Sequence, residues 1–302
     1  MTLPRTRLEC LKDGFTDRDL ARQLSTGKLK RLRHGVYWTP EDLPFVEHHK
    51  TLVRSTLSLV SPDAVVSHWS AAAIHGLPLR TSDLERVSLT NPSGGNGRRT
   101  RCLYVRKAVV DADEWVAVDG MRVTSLARTV SDLARQLPRE WGVIAADAAL
   151  HSGLDRILLG EQLLRYPRWH GIGKAQGVVE FADSRAESPG ESLSRVRMAQ
   201  FGIPRPELQY EIWDGDTFVA RSDFAWPEYN LIGEFDGAIK YGKLLQPGET
   251  AVDVVMREKR RDENLRRMGF WVVHWDWDAA WQGSPMDRII RAGLTNGRRG
   301  VR

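Results

Sequence analysis

The pattern of hydrophobic and polar residues is most regular in the last third of the chain. Strands alternate between two faces, whereas helices repeat every three to four residues, and both periods occur there. In chain order, the sequence predicts a helix over 188–200, strands over 207–213, 218–226 and 231–236, a helix over 252–268, a strand over 270–275 and a short final helix. Because the last strand follows a helix, we expect a crossover that returns it to the same sheet.

The N-terminal segment predicts two short helices followed by a hairpin. Gly14 ends the first helix, and Thr16 begins the second as its N-cap, with Asp19 in the first turn. The segments KLKRLR and VYW, separated by His34-Gly35, have the pattern of two strands, of which the first is basic. This order is typical of a winged helix-turn-helix, although it also fits a small helical cap beside a charged ribbon in solvent.

The middle of the chain gives mixed signals and no defensible catalytic constellation. Its predicted helices lie near 45–59, 125–136 and 139–152. A hairpin is predicted to join ERVSLT to CLYVRKA through a glycine-rich loop that carries Arg98, Arg99 and Arg101. These arginines fit either phosphate contacts or an ordinary solvated hairpin end. Ser67 and His68 lack a nucleophile elbow and an acid at a useful spacing, which disfavours a serine hydrolase.

Together these elements predict an α+β protein of three domains. The predicted domains are a winged helix-turn-helix over 1–44, a mixed α/β middle region over 45–185 and a C-terminal domain over 186–302.

Composition and charge narrow the class of protein. The chain of 302 residues has a net charge of +5, which favours a polyanionic partner such as DNA or an anionic membrane surface. Its two cysteines, Cys10 and Cys102, exclude a disulfide framework and a four-cysteine zinc site, and they fit a reducing compartment. No apolar run reaches the roughly 18 residues of a membrane span. We therefore expect a cytoplasmic protein without a membrane partner.

Acidic residues occupy the predicted C-terminal strands. If PEYN is a four-residue turn, Trp226 pairs with Leu231, and Asp223 then lies directly opposite Glu234, with Asp236 on the same face. Opposed like charges destabilise a sheet, and a hard divalent cation such as Mg²⁺ or Mn²⁺ would compensate them. The alternatives are an acidic face exposed to solvent, with Arg221 as a surface partner, and a register slip that separates the pair.

Glu191 is a third acid with two interpretations. In the helix-start signature SPGE, Ser188 is the N-cap, Pro189 is the first helical residue and Glu191 occupies the N3 position. Glu191 therefore fits a purely capping role. If the helix packs across the sheet, the same carboxylate would approach the acidic face.

The C-terminal segment resembles the PD-(D/E)XK nuclease superfamily, and more narrowly its very-short-patch-repair-like endonuclease domains. The motifs ESLSRVRMAQFGIPRPELQ, SDFAWPEYNLIGEFDG and KRRDENLRRMGFWVVHW carry the resemblance over about residues 186–285. It implies an αβββαβ core that cleaves DNA. It also implies that Glu191, Asp223 and Glu234 bind Mg²⁺ or Mn²⁺.

One position departs from the superfamily pattern. Asp236 stands two residues after Glu234, where the general motif places lysine. Lys240 and Lys259 are the candidates for the missing positive charge. Gln209 is a candidate polar lining residue, and the segment 260–262 is predicted to contribute phosphate contacts or helix-surface ion pairs.

The N-terminal segment is similar to the winged-helix region of AbiEi-like antitoxins of type IV toxin-antitoxin systems. The resemblance rests on GFTDRDLARQLSTGKLKRLRHGVYW, AVVSHWSAAAIHGLPL and VTSLARTVSDLAR, within about residues 5–135. It implies promoter binding by the helix that begins at Thr16, through Arg18 and Arg22. It also implies a wing that grips the DNA backbone through Lys28, Lys30, Arg31 and Arg33.

Two functions remain open at this point. One is a DNA-binding protein with an Mg²⁺-dependent endonuclease domain. The other is an antitoxin-like autoregulator without enzymatic activity, whose partners are DNA and either a cognate toxin or a second copy of the chain. Asp236 in place of lysine favours the second function.

Overall fold

The protein belongs to the α+β class, as predicted. The computed structural model describes residues 5–33, 35–38, 44–93, 97–237 and 251–297, which contain twelve α-helices and three sheets. The chain forms two compact units, the first made of Met1–Leu137 and Leu154–Val179, the second of Pro138–Gly153 and Glu180–Arg302. None of the helices in the described ranges is both long and apolar enough to cross a membrane.

The first unit begins with two capped helices and a small sheet. Its elements are β1 (Arg5–Thr6), α1 (Arg7–Lys12), α2 (Asp17–Ser25), β2 (Lys30–Arg33) and β3 (Val36–Trp38), with strand order β1-β3-β2. Thr16 and Asp19 form a capping box at the start of α2, which confirms the predicted N-cap. Cys10, Leu20 and Tyr37 form a small core under the two helices. The hairpin of β2 and β3 is confirmed, whereas β1 was not predicted.

A mixed six-stranded sheet makes up the rest of the first unit. The elements are α3 (Phe45–Leu57), β4 (Val65–Val66), α4 (His68–Ile74), β5 (Val87–Asn91), β6 (Arg98–Arg99), β7 (Leu103–Lys107), β8 (Trp115–Val118), β9 (Met121–Thr124) and α5 (Leu126–Gln136). After α6 (Arg139–His151), which belongs to the second unit, come α7 (Arg156–Leu164) and α8 (Ile172–Phe181). The strand order is β6-β7-β5-β4-β9-β8.

The hairpin predicted between ERVSLT and CLYVRKA is wrong. Strands β5 and β7 pair in parallel, with Val87 opposite Leu103. Strand β6 takes the antiparallel position on the other edge of β7, where Arg98 pairs with Val105. The segment between β5 and β7 therefore carries the chain back along the sheet and is not a simple turn.

From α9 to the last strand, the second unit has the element order that the sequence predicts, but two helices follow that strand where one short helix was predicted. It contains α9 (Pro189–Gln200), β10 (Glu207–Asp214), β11 (Thr217–Trp226), β12 (Leu231–Asp236), α10 (Ala251–Arg267), β13 (Trp271–Asp276), α11 (Trp277–Gln282) and α12 (Ser284–Gly297). Strand order is β10-β11-β12-β13. Strand β13 pairs with β12 in parallel, which confirms the crossover through α10.

The predicted register between β11 and β12 is also confirmed. Trp226 pairs with Leu231, and Ala225 pairs with Ile232. One face of the sheet is apolar, and its core contains Phe224, Trp226, Leu231 and Phe235 together with Leu193 and Met198 of α9. The opposite face is not wholly acidic, because Ala225 and Ile232 form a second core there with Leu265 of α10. The acids lie beyond this core, toward the end of β12.

Candidate functional site

The first turn of α9 places Glu191 over the sheet. The Ser188 hydroxyl accepts a hydrogen bond from the Glu191 N–H at 3.2 Å, so the predicted N-cap is confirmed. Gly190 lies so close to the Phe235 ring that a Cβ at this position would overlap it. Because glycine permits this close approach, the helix start packs directly against β12.

The Glu191 carboxylate contacts the segment just before its helix and faces another acid. Its Oε2 accepts hydrogen bonds from the Glu187 N–H at 2.9 Å and from Gln209 Nε2 at 3.0 Å. Burial, together with the negative charge of Asp223, raises the pKa of Glu191 to about 7. The helix is capped by the Ser188 hydroxyl, and the Glu191 carboxylate approaches the acidic face of the sheet.

Gln209 lines this site, as the sequence indicated. Its φ of 52° lies in the left-handed region, which is costly for a residue other than glycine. Its neighbours Leu208 and Tyr210 pair with Phe224 and Ser222, so Gln209 stands opposite Asp223 on the adjacent strand. The residue with the strained backbone, Gln209, is therefore also the one whose side-chain amide donates to Glu191 Oε2.

Asp223 links β11 to the end of β12. The paired residues of these two strands end at Phe224 and Gly233. Beyond that pair, Asp223 Oδ2 accepts a hydrogen bond from the Phe235 N–H at 2.8 Å. The carboxylate thus replaces a backbone partner at the point where the strands separate, and it lies next to Glu234 along β12.

Glu234 is buried and paired with an arginine. Its side chain is 4% exposed, and its Oε1 accepts a hydrogen bond from Arg261 Nη2 of α10. Arg261 Nη2 also donates to the Arg221 carbonyl at 3.0 Å. The interpretation of these acids as a solvent-facing surface is therefore wrong for Glu234. Among the residues that the structure describes, Arg261 supplies a positive charge beside it.

Of the two lysine candidates, the one that the structure describes, Lys259, does not lie at this position. Lys259 is exposed and precedes Arg261 by two residues, which places it on the other side of α10. Lys240 lies outside the residues that the structure describes. From the sequence alone, Arg261 fits a phosphate contact or a helix-surface ion pair, and its contact with Glu234 was not predicted.

His274 is a further member of this cluster that the sequence analysis missed. It pairs with Glu234 across β12 and β13. Its Nδ1 lies 3.3 Å from Asp236 Oδ2, and its Nε2 lies 3.0 Å from Asp262 Oδ2. The hydrogen bond with Asp236 raises the pKa of His274 to about 8. The only sequence signal was a polar residue inside the apolar strand FWVVHW.

Some of the carboxylates at the end of β12 are suitable ligands for a divalent cation. Two carboxylates, Glu191 and Asp223, offer the oxygen ligands that a hard ion prefers, and their mutual repulsion would be relieved by a positive charge. Glu234 is already neutralised by Arg261. Within the described ranges, no three Asp, Glu, His or Cys side chains stand close enough together to hold a metal ion.

The predicted DNA-binding residues of the first unit are exposed cations. Exposed positions are Arg18 and Arg22 on α2, Lys28 before β2, and Lys30 and Arg31 on β2. Arg22 forms an ion pair with Asp19, and the Arg31 guanidinium lies over the Tyr37 ring. The side chain of Arg33 lies outside the described part of the structure.

In protein kept free of divalent cations, Glu191→Gln is expected to raise the free energy of unfolding above pH 7. The pKa of Glu191 is about 7 in the folded chain and near 4.5 in the unfolded chain, so the folded state holds a proton that the unfolded state has released. Stability therefore falls as the pH rises through this interval, by roughly 2 to 3 kcal/mol in total. Glutamine keeps an acceptor for Glu187 and Gln209 without the charge.

Urea unfolding of both proteins in EDTA, from about pH 4 to about pH 8, measures this difference. The two stabilities should converge at the acidic end and separate at the basic end. Parallel pH profiles would contradict the placement of Glu191 beside a second negative charge.

Comparison with known proteins places the chain beside uncharacterized relatives. No family model matches it. Two proteins of Mycobacterium tuberculosis, "Uncharacterized protein MT2308" of strain CDC 1551 / Oshkosh and "Uncharacterized protein Rv2248" of strain ATCC 25618 / H37Rv, are each 30% identical over 265 residues. Each alignment covers 82% of this chain and 93% of the relative. The crystal structure of the RV2827C protein of Mycobacterium tuberculosis aligns with a TM-score of 0.42 at 13% identity, over 71% of this chain and 84% of that one.

Proposed function

We propose that this chain, which belongs to the protein family of the uncharacterized Mycobacterium tuberculosis protein Rv2248, is a DNA-binding protein whose second unit hydrolyses DNA phosphodiesters with a divalent cation. One observation carries the proposal. Glu191 of α9 lies beside Asp223 where β11 and β12 separate, and burial together with the charge of Asp223 raises the pKa of Glu191. Buried, mutually repelling carboxylates with a perturbed pKa are a mark of functional sites.

The order of the elements supports the same proposal. The elements follow the order expected for a PD-(D/E)XK core, which is a helix, three antiparallel strands, a crossover helix and a parallel strand. Glu191, Asp223 and Glu234 lie on the first helix, the second strand and the third strand of this arrangement. These are the positions that the resemblance assigns to the metal ligands.

In the proposed reaction, Glu191 and Asp223 would hold Mg²⁺ or Mn²⁺, and Glu234 would join them once its carboxylate exchanged the Arg261 guanidinium for the ion and moved toward the other two. When bound, such an ion lowers the pKa of water and offsets negative charge on a phosphate. Gln209 holds the Glu191 carboxylate in place through its 3.0 Å hydrogen bond. Arg261, which already contacts Glu234, supplies the positive charge beside the site that Asp236 cannot supply.

His274 has the position and the pKa of a group that exchanges a proton near neutral pH. It lies between Asp236 and Asp262 and is adjacent to Glu234 in the sheet. Its raised pKa keeps it largely protonated at pH 7. We assign to it the donation of a proton or a hydrogen bond to a phosphate oxygen or to the leaving oxygen.

The direct test of the activity uses the full chain. Supercoiled plasmid and short duplex DNA should be nicked or cut in Mg²⁺ or Mn²⁺ and stay intact in EDTA. DNA that remains intact with every metal and in every substrate form would refute the enzymatic function.

The exposed cations of the first unit would bind the phosphate backbone of DNA. Arg18→Ala combined with Arg22→Ala is expected to weaken DNA binding about tenfold or more at moderate ionic strength. The slope of log affinity against log salt should fall by about two, because two arginines no longer bind a phosphate. Fluorescence anisotropy titrations over a range of salt concentrations measure both quantities.

The matched control removes two arginines from elsewhere in the same unit. Arg54 and Arg122 are partly exposed and form ion pairs with Asp119 and Asp63. Arg54→Ala combined with Arg122→Ala changes the net charge by the same amount. If both double variants weaken DNA binding equally, α2 has no special part in it.

A second function, that of a non-enzymatic autoregulator, is favoured by one observation. Arg261 neutralises Glu234, and Asp236 is engaged with His274, so the acidic edge is partly stabilised without a cation. An autoregulator would bind DNA upstream of its own gene tightly and independently of metal, and Glu234→Ala would leave this affinity unchanged. Equal affinity for upstream and unrelated DNA would count against it.

A further inference from the structure

A cationic cavity lies within the first unit, and the proposed function does not use it. Its volume is about 760 Å³, which is within the usual range for small-molecule sites. Strand β7, helix α5 and the segment 168–170 all contribute to its wall. The charged and aromatic lining residues that matter here are Tyr104, Arg106, Arg128, Arg135, Arg168 and Trp169.

Aromatic rings and hydrogen bonds hold the arginines of this cavity in fixed positions. The Arg106 guanidinium lies 3.6 Å from the centre of the Tyr104 ring, and it donates from Nη1 to Ser88 Oγ at 2.6 Å and from Nη2 to Gln136 Oε1 at 2.9 Å. The Arg135 guanidinium lies 4.5 Å from the centre of the Trp169 ring. Stacked guanidinium groups lose less conformational freedom when they bind an anion, because they are already oriented.

The positive charge of the cavity exceeds its negative charge. Asp132 is the carboxylate in the wall, and it already accepts hydrogen bonds from Arg128 Nε at 3.1 Å and Arg135 Nη1 at 2.9 Å. Within the described residues, neither Arg106 nor Arg168 has a carboxylate within 4.0 Å. The Nε of Arg106 is buried without a hydrogen-bond partner in that part of the chain.

Burial of the uncompensated Arg106 carries an energetic cost. Removal from water lowers the pKa of Arg106 to about 10, which shows that its charged form is disfavoured at this position. An anion in the cavity would compensate this charge. Guanidinium groups match the geometry of phosphate oxygens, to which they donate paired hydrogen bonds.

His68 and Asp132 do not make this cavity a hydrolase site. The Nδ1 of His68 lies 3.0 Å from Ser67 Oγ and 3.8 Å from Asp132 Oδ2, so one ring nitrogen faces both groups. A catalytic triad needs the nucleophile and the acid on opposite ring nitrogens. The Nε2 of His68 instead meets the Gln136 side chain at 2.9 Å. The arrangement favours binding without chemistry.

We propose that this cavity binds a phosphorylated small molecule of nucleotide size, whose phosphate is held by Arg106 and Arg168. The cavity is much larger than a single phosphate ion, and its wall includes apolar positions at Val105, Ala108 and Val109 that suit an organic group. The ligand is therefore an anionic ester with a nucleoside-sized body. The inference is independent of the acidic edge in the second unit.

Isothermal titration of the full chain with ATP, pyrophosphate, inorganic phosphate and adenosine tests this proposal. ATP is expected to bind at least tenfold more tightly than inorganic phosphate, and adenosine is expected not to bind measurably. Arg106→Gln and Arg168→Gln should each weaken ATP binding tenfold or more. Arg168 is exposed, so its replacement leaves the fold intact even if a change at Arg106 disturbs it.

Two controls separate this site from other cationic surfaces. Arg122→Gln, at a partly exposed arginine of the same unit, should leave ATP affinity unchanged. The double variant Arg18→Ala with Arg22→Ala, which weakens the proposed DNA grip, should also leave it unchanged. The proposal is overturned if ATP does not bind, if inorganic phosphate binds as tightly as ATP, or if Arg168→Gln and Arg122→Gln weaken ATP binding equally.

Discussion

Glu234→Ala is expected to lower Mg²⁺-dependent or Mn²⁺-dependent DNA cleavage by about 100-fold or more. Glu234 is 3% exposed and lies beside Asp223 at the end of the sheet, so no neighbouring water can readily replace its oxygens as ligands. Plasmid nicking under single-turnover conditions measures the loss. Binding of the same DNA in EDTA should stay within about twofold of the unsubstituted chain, because the first unit supplies the grip.

A second variant guards against simple unfolding. Asp223→Asn keeps an acceptor for the Phe235 N–H, so the fold should persist while a charged ligand is removed. The decrease in cleavage should be similar to that of Glu234→Ala. Asp214→Asn, at the exposed last residue of β10 in the same sheet, is the matched control and should cut normally. Full cleavage by Asp223→Asn would show that this carboxylate has no part in the reaction.

Arg261→Ala is expected to destabilise the second unit by about 3 kcal/mol at neutral pH. The change removes the Arg261 guanidinium from the buried carboxylate of Glu234, and breaking a buried ion pair typically costs about 3 to 5 kcal/mol. We take the lower value because the Arg261 side chain is 22% exposed and water can reach it. Chemical denaturation in EDTA measures the change.

Two further measurements distinguish an ion-pair effect from a packing effect. Combining Arg261→Ala with Glu234→Gln should recover most of the stability, since the side chain that Arg261 contacts is then uncharged. Mn²⁺ should raise the Tm of Arg261→Ala more than that of the unsubstituted chain, because the ion no longer competes with the guanidinium for Glu234. A double variant that is as unstable as Arg261→Ala would assign the destabilisation to packing.

The order and pairing of the strands in the second unit could be predicted from the sequence, because the turn residues and the alternation of apolar residues indicate the same elements throughout it. The strands alternate clearly between apolar and polar residues, and they are separated at Asp214-Gly215 and by the turn at 227–230. That turn places Trp226 opposite Leu231. A helix between the third and fourth strands forces a parallel pairing. These features determine which side chains share a face, and so they place Asp223 beside Glu234.

The ion pairs of the acidic edge could not be predicted in the same way. Whether Arg261 or Lys259 faces Glu234 depends on the rotation of α10 about its axis, which packing of Leu265 against the sheet sets. His274 meets Asp236 and Asp262 only because β13 takes one particular parallel register with β12. Neither the rotation nor the register is encoded in neighbouring residues.

In the middle of the chain, the pairing of the strands could not be predicted from the sequence either. A glycine-rich segment between two apolar strands predicts a hairpin, but β6 pairs with the free edge of β7 and β5 takes the opposite edge in parallel. The cationic cavity beside β7 also could not be predicted from the sequence. Arg106, Arg135 and Arg168 are far apart along the chain and converge only in the folded unit.

The binding of Mn²⁺ to the full chain, followed by electron paramagnetic resonance of the free ion, tests the proposed metal site without relying on DNA cleavage. We expect Mn²⁺ binding that competes with Mg²⁺ and is abolished or weakened at least tenfold in Asp223→Asn and in Glu234→Ala, with Asp214→Asn unchanged. A protein that takes up no Mn²⁺, or one whose uptake is the same in all these variants, would show that these carboxylates do not form a metal site.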